Sequence, residues 1–266
     1  MGADVTTDFG LKIRKITGRG GAEVSGINLG PDLQPATIKA IREQLLEHKV
    51  IFFRGQHQLT DQSQEAFAKL LGEPVAHPTV PTAENTDYVL ELDSEFGGRA
   101  DTWHTDVTFV DAYPQASILR ALTVPEAGGD TIWSNTEAAY EHLPEVLKQL
   151  ANNLRAIHSN LYDYAARRPK APAEDAQRYA DVFASTIYET EHPVAVSYTH
   201  LVVLASSPYS GLLISSLSWR SLIASMVRRS CSAIWLCGTE YRSDTRVWMS
   251  TTEFTALSRI SRGASS

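Results

Sequence analysis

Cysteine is almost missing: the 266-residue chain holds two, Cys231 and Cys237. That excludes a disulfide framework and a four-cysteine zinc site, and it fits a reducing cytoplasm. The first residues, Met1-Gly2-Ala3-Asp4-Val5, have no basic-then-apolar run of a signal peptide. Positive charge is in deficit, 24 Lys and Arg against 31 Asp and Glu, so general affinity for nucleic acid or an anionic membrane surface is not expected. Gly18-Arg19-Gly20-Gly21 lacks the Lys-Ser/Thr pair of a P-loop, no Gly-x-Ser-x-Gly elbow occurs, and neither cysteine sits in a CxxC. What is there suffices for a folded protein: 43% apolar residues bury a core, in one large domain or two small ones.

Two further absences are local. Lysine disappears after Lys170, and no histidine follows His200. Serine goes the other way, with eight in residues 1–200 and sixteen in 201–266. The last 66 residues carry seven arginines against three acids, which leaves 17 basic and 28 acidic residues to the first 200. No Pro/Gly-rich linker marks the change. Three readings are open for this Ser/Arg-rich tail. It is a small module; or a membrane-seeking segment, since 201–219 is uncharged; or it is not the natural continuation of the chain, an out-of-frame or chimeric end. Pro208, Gly211 and six serines argue against a spanning helix in 201–219. The third reading is favoured, giving an expected division into 1–194 and 195–266.

Within the first 200 residues, hydrophobic spacing predicts a helix over 35–48 with Ile38, Ile41, Leu45 and Leu46 on its apolar face. The run Val50-Ile51-Phe52-Phe53 reads as a buried strand ended by Arg54-Gly55. A second helix is expected over 60–71, with Asp61 and Gln64 at capping-box spacing, Phe67, Leu70 and Leu71 inward, and Gly72 as the stop. Segments 88–92, 117–122, 131–133 and 186–188 look extended, Ser134 with Glu137 suits a helix start, and 173–183 suits a helix. Short strands and irregularly placed helices point to a mixed α/β, β-rich fold, not a doubly wound one.

The chemistry concentrates in Trp103-His104-Thr105-Asp106-Val107-Thr108-Phe109. If this segment is extended, residues two apart share a face, and His104 and Asp106 present an imidazole beside a carboxylate. With a distant histidine such a pair makes a 2-His-1-carboxylate triad, which leaves positions open on Fe(II); zinc prefers a closed tetrahedral set. The spacing is weak by itself, since a chain of this composition has about one such pair by chance, and on the spacing alone a hydrogen-bonded pair on a strand is the expected reading.

A longer pattern surrounds the pair. His48-Lys49-Val50-Ile51-Phe52-Phe53-Arg54-Gly55, Asp61-Gln62-Ser63-Gln64-Glu65, and Leu70-Leu71-Gly72-Glu73-Pro74-Val75-Ala76-His77-Pro78-Thr79-Val80-Pro81 precede it. Gly128-Gly129-Asp130-Thr131, His158-Ser159-Asn160-Leu161-Tyr162-Asp163-Tyr164 and Tyr188-Glu189-Thr190-Glu191-His192-Pro193-Val194 follow. From Gly10 to about Val194 the sequence resembles the Fe(II)/2-oxoglutarate-dependent dioxygenases of the taurine dioxygenase family, and within it the alkylsulfatase dioxygenases. The resemblance implies a double-stranded β-helix (jelly-roll) core with flanking helices, incomplete at the C-terminus. It implies Fe(II) as the metal, with 2-oxoglutarate and O2 as cosubstrates. The substrate it implies is a sulfate ester, oxidised at the carbon bearing the sulfate, or a sulfonate as the alternative. It further implies a homo-oligomer in the cytoplasm. Residue by residue, His104 and Asp106 match iron ligands, Thr131 matches the hydroxyl that holds a carboxylate of 2-oxoglutarate, and His77 and Val107 match substrate contacts. His142, His158 and His192 are expected at the surface or in packing. The family's distal histidine has no counterpart in 250–262, and the arginines that follow it in the family are read as missing too, although Arg259 and Arg262 stand in that window. The likeness stops near Pro193-Val194, and Val196-Ser197-Tyr198-Thr199-His200-Leu201 resembles translated sequencing-adapter DNA. A catalytically dead fragment of the family is therefore a further reading, as is a zinc hydrolase built on the same pair.

Overall fold

The computed structural model describes residues 5–6, 10–91, 104–123, 131–160, 177, 181, 186–195, 246–251 and 254–257. The expected helix at 173–183 falls almost wholly outside them, as do both cysteines, Trp103 and Gly128-Gly129-Asp130.

The core starts with an antiparallel meander. β1 (Val5–Thr6), β2 (Lys12–Lys15) and β3 (Ala22–Ser25) pair in sequence. The chain then crosses over through α1 (Pro35–His48) to β4 (Val50–Phe53), which lies parallel to β3. Pro35 suits the first turn of α1, where its missing N–H has no helical partner to lose. Ile38, Ile41 and Leu45 fall on one face and are buried, as the 3.6-residue period demands. Leu46, expected on that face, is 49% exposed. β4 is apolar on both sides because both sides are covered: Val50, Ile51 and Phe53 are fully buried, and Phe52 meets Trp133 edge to face at 5.5 Å. Gln56, also buried, ties the strand's exit to the meander. It accepts from the Leu29 N–H and donates to the carbonyls of Ile27 and Arg54.

α2 (Asp61–Leu71) is capped by Thr60 and Ser63, whose side chains satisfy each other's backbone N–H groups; Asp61 and Gln64 do not form the expected box. Those two side chains are used elsewhere. Asp61 pairs with Arg120, and Gln64 donates to the Ile118 carbonyl at 3.4 Å. Phe67 is buried and Leu71 packs against the core, whereas Leu70 is exposed. The expected strand at 88–92 does not form among its described residues. The N–H groups of Asp87 and Tyr88 donate instead to the Glu65 carboxylate, at 2.8 and 3.2 Å.

β5 (Ala116–Ala121) closes the large sheet, in the order β1-β2-β3-β4-β9-β5, with β9 (Arg246–Thr251) antiparallel to both neighbours. β6 (Ile132–Asn135) pairs with β10 (Phe254–Leu257), and it leads into α3 (Thr136–Glu141), then α4 (Glu145–Asn152). The start of α3 is capped by Asn135, not Ser134: its side chain accepts from the Ala138 N–H at 2.9 Å. β7 (Arg155–Ser159) and β8 (Glu189–Pro193) form a separate antiparallel ribbon. The fold is thus mixed α/β, with three sheets among the described residues. Among the described residues no helix is long and apolar enough to cross a membrane.

Candidate active site

The segment bearing His104 and Asp106 is not a strand. His104 makes a single bridge, and the chain turns through 106–109, with Val107 at φ 54°. A positive φ is uncommon for any residue with a Cβ and costly for a β-branched one. The turn, and not strand alternation, brings the pair together: His104 Nε2 lies 3.3 Å from Asp106 Oδ1. Neighbouring ligands on one octahedral ion, with bonds of about 2.1 Å, stand roughly 3 Å apart. One nitrogen and one carboxylate oxygen at this separation therefore fit two adjacent positions on a single metal ion. Among the described residues no group of three or more His, Cys, Asp or Glu gathers to complete such a set.

His77 approaches from the loop after α2. Its Nδ1 accepts from the N–H groups of Val80 and Thr79, at 3.1 and 3.3 Å. That assigns the proton of the neutral ring to Nε2. The ring packs edge to face on Phe109, the last residue of the turn, with centroids 6.1 Å apart. His77 thus both caps its own loop and lies beside the His104–Asp106 turn. Burial pulls its pKa below the ordinary imidazole value, against the opposing charge of Asp106. The Asp106 side chain is 53% exposed, and the hydrogen bond and charge of His104, with the charge of His77, hold its carboxyl below the usual range. Asp106 is ionised at neutral pH, as a carboxylate ligand must be.

Thr131 lies just before β6. It is buried, and among the described residues its Oγ1 has no hydrogen-bond partner. Nearly all buried hydroxyls are satisfied, so an orphaned one fits a place where a ligand oxygen belongs. Val107 is partly buried, inside the turn.

Two histidines expected in packing touch the same turn. His158 Nδ1 is 2.9 Å from Thr108 Oγ1, and His192 Nε2 is 2.8 Å from the Thr108 carbonyl. Their rings meet edge to face at 4.9 Å. Burial first, then the neighbouring His192, pull the His158 pKa down to about 4, so the ring is neutral. The sequence signal for this was slight: His158 shares the inward face of β7 with Ala156, and a histidine on such a face needs a polar partner.

A model of the taurine catabolism dioxygenase TauD, TfdA family matches residues 12–203. The chain is 59% identical over 186 residues to an alkylsulfatase of Acinetobacter baylyi, covering 70% of this chain and 59% of that protein. It is 59% identical over 184 residues to an alpha-ketoglutarate-dependent sulfate ester dioxygenase of Pseudomonas putida, covering 69% of this chain and 61% of the relative. The chain thus spans about 60% of the length of these two relatives. Among solved structures, a taurine dioxygenase from Burkholderia xenovorans is similar with a TM-score of 0.65 at 27% identity, over 93% of this chain and 82% of that one. A protein solved with Mn(II) and N-oxalylglycine superposes with a TM-score of 0.67 over 96% of this chain and 92% of its own, and at 19% identity that likeness concerns the fold alone.

Proposed function

The chain belongs to the taurine catabolism dioxygenase TauD, TfdA family, and from that premise we propose that it is an Fe(II)- and 2-oxoglutarate-dependent oxygenase acting on sulfate esters. Its reaction oxidises the carbon bearing the sulfate, giving aldehyde and sulfate. The fold proposed for it is the jelly roll with helices outside. The observation that carries the reading is the His104–Asp106 pair, 3.3 Å apart inside the matched region. The 59% identity to two relatives named for sulfate ester chemistry favours that substrate class over a taurine-like sulfonate.

When bound, iron and 2-oxoglutarate supply the oxidation: one oxygen atom of O2 enters succinate as carbon dioxide leaves, and the other enters the substrate C–H bond. The rest falls to the chain. His104 and Asp106 hold the ion, the carboxylate bringing the negative charge that a divalent cation needs. Thr131 Oγ1 donates to a carboxylate of 2-oxoglutarate and so ends its own isolation. His77 holds its proton at Nε2, where it donates to a sulfate oxygen, while Nδ1 stays committed to the loop. Val107 lines the substrate side of the turn.

A second reading, binding without turnover, is favoured by one observation: no histidine follows His200 to complete the ligand set. Anaerobic titration with Fe(II) and 2-oxoglutarate, followed by succinate assay with ascorbate and a panel of alkyl sulfates, tests both. A weak visible charge-transfer band is expected for the chain and not for Asp106→Ala. Succinate formation stimulated by alkyl sulfates supports the oxygenase, a band without turnover supports the second reading, and no band overturns both. The division at 194/195 is likewise proposed. β9 and β10 lie beyond it, and limited proteolysis of the whole chain tests whether 1–194 persists as a unit.

A further inference from the structure

The β7·β8 ribbon presents one polar face to the ligand-bearing turn. In its register His158 stands opposite Thr190, and His192 opposite Ala156. His192 is two residues from Thr190, so all three side chains emerge on the same side. Each reaches the segment just after Asp106. His158 meets the Thr108 hydroxyl, His192 the Thr108 carbonyl, and Thr190 Oγ1 donates to Asp111 Oδ1 at 2.5 Å. Tyr113 packs edge to face on His192 at 5.0 Å and closes the cluster from the other end of the segment. Opposite His192 the residue is an alanine, which leaves the ring room to lie against its neighbours.

We propose that His158 and His192 are positioning residues that clamp Thr108 by its side chain and main chain, and so fix the carboxylate of Asp106 for metal binding; this rests on the proposed function. The turn needs such a clamp. It has no ladder of its own, and Val107 is held at φ 54°, a conformation that persists only where the surroundings over-determine it. Apolar side chains at these positions would pack as well but would leave the Thr108 carbonyl undirected. An Nε2–H donor fixes the peptide plane two residues from the ligand. Groups that orient a ligand from outside the coordination sphere change metal affinity by about 10- to 100-fold.

The test uses the whole chain and four forms: wild type, His192→Leu, His192→Gln and Thr108→Val. Glutamine places an amide N–H close to where Nε2–H stands, so it is the rescue. Thr108→Val removes the His158 contact with little change of volume and guards against a misfolded His192→Leu. The first readout needs no metal: hydrogen–deuterium exchange of residues 104–111 rises in His192→Leu and Thr108→Val and returns toward wild type in His192→Gln. The second is Mn(II) binding followed by electron paramagnetic resonance, expected to weaken roughly tenfold or more in the first two variants and to recover in the glutamine variant. Unchanged exchange and unchanged Mn(II) affinity in Thr108→Val and His192→Leu overturn the clamp. Failure of wild type to bind Mn(II) counts against the proposed function instead, and the exchange measurement then decides the clamp alone.

Discussion

Thr131 is the residue whose surroundings make the least sense without a ligand. A buried hydroxyl with no partner costs on the order of 1–3 kcal/mol. Replacing it with a side chain of the same shape and no hydroxyl removes that cost. Thr131→Val is therefore expected to leave stability in urea unchanged or raise it by about 1 kcal/mol, while 2-oxoglutarate binding by calorimetry weakens. Equal binding by both chains would make Thr131 an ordinary buried residue. His77 teaches the converse. Its motif was legible in the sequence, and a loop cap beside Pro78 was the alternative reading; the structure gives it that cap, Nδ1 accepting from Thr79 and Val80, and places it beside the His104–Asp106 turn as well. The His104–Asp106 pairing was legible and its cause was not. Alternation in an extended segment gives the same juxtaposition as a turn, and the positive φ of Val107, which distinguishes them, is one that a β-branched residue gives no reason to expect.

Elements were readable where one force dominated. The 3.6-residue stripe fixed α1 over Pro35–His48, and the apolar run fixed β4 over Val50–Phe53. They were misread where two partners competed for the same polar group. At the start of α2 Thr60, Asp61 and Gln64 each offer a side-chain oxygen, and Thr60 takes the cap while Asp61 pairs with Arg120 and Gln64 donates to the Ile118 carbonyl. At Tyr88 the apolar alternation is that of a strand, yet the N–H is consumed by Glu65. The cap assignment makes a numerical expectation. Thr60→Ala costs about 1 kcal/mol, read as a lower urea midpoint, whereas an equal loss from Gln64→Ala through its helix end would point back to the wrong box.

The molecule as a whole is expected to be acid-sensitive in a defined window. His48 is depressed by burial, with Lys15 adding and Glu47 opposing, and His158 falls from 6.5 to about 4. Both folded values lie below the unfolded one, so the unfolded chain binds more protons once the pH drops below about 6.5, and stability declines from there. For His158 the decline levels off below about pH 4, after a loss of roughly 3 kcal/mol at most. Glu23, where burial is outweighed by Arg54 and Arg14, pushes in the same direction as the pH falls through the carboxylate range. Urea midpoints measured from pH 8 to pH 5 should be flat above pH 7 and fall below 6.5; a flat curve throughout would mean that the buried rings are hydrated. Neither this window nor the sheet order was legible in the sequence, because both depend on which distant segments meet. The insertion of β9 between β4 and β5 is the extreme case, and its consequence is one of time. β4 has one side against β3 as soon as residues 22–53 are made, but the partner for its other side is encoded about 190 residues later. At the ribosome's pace of 5–20 residues per second that is a wait of roughly 10–40 s. Over that interval the nascent chain carries an open strand edge along Val50–Phe53, which is a stretch a holding chaperone has reason to cover.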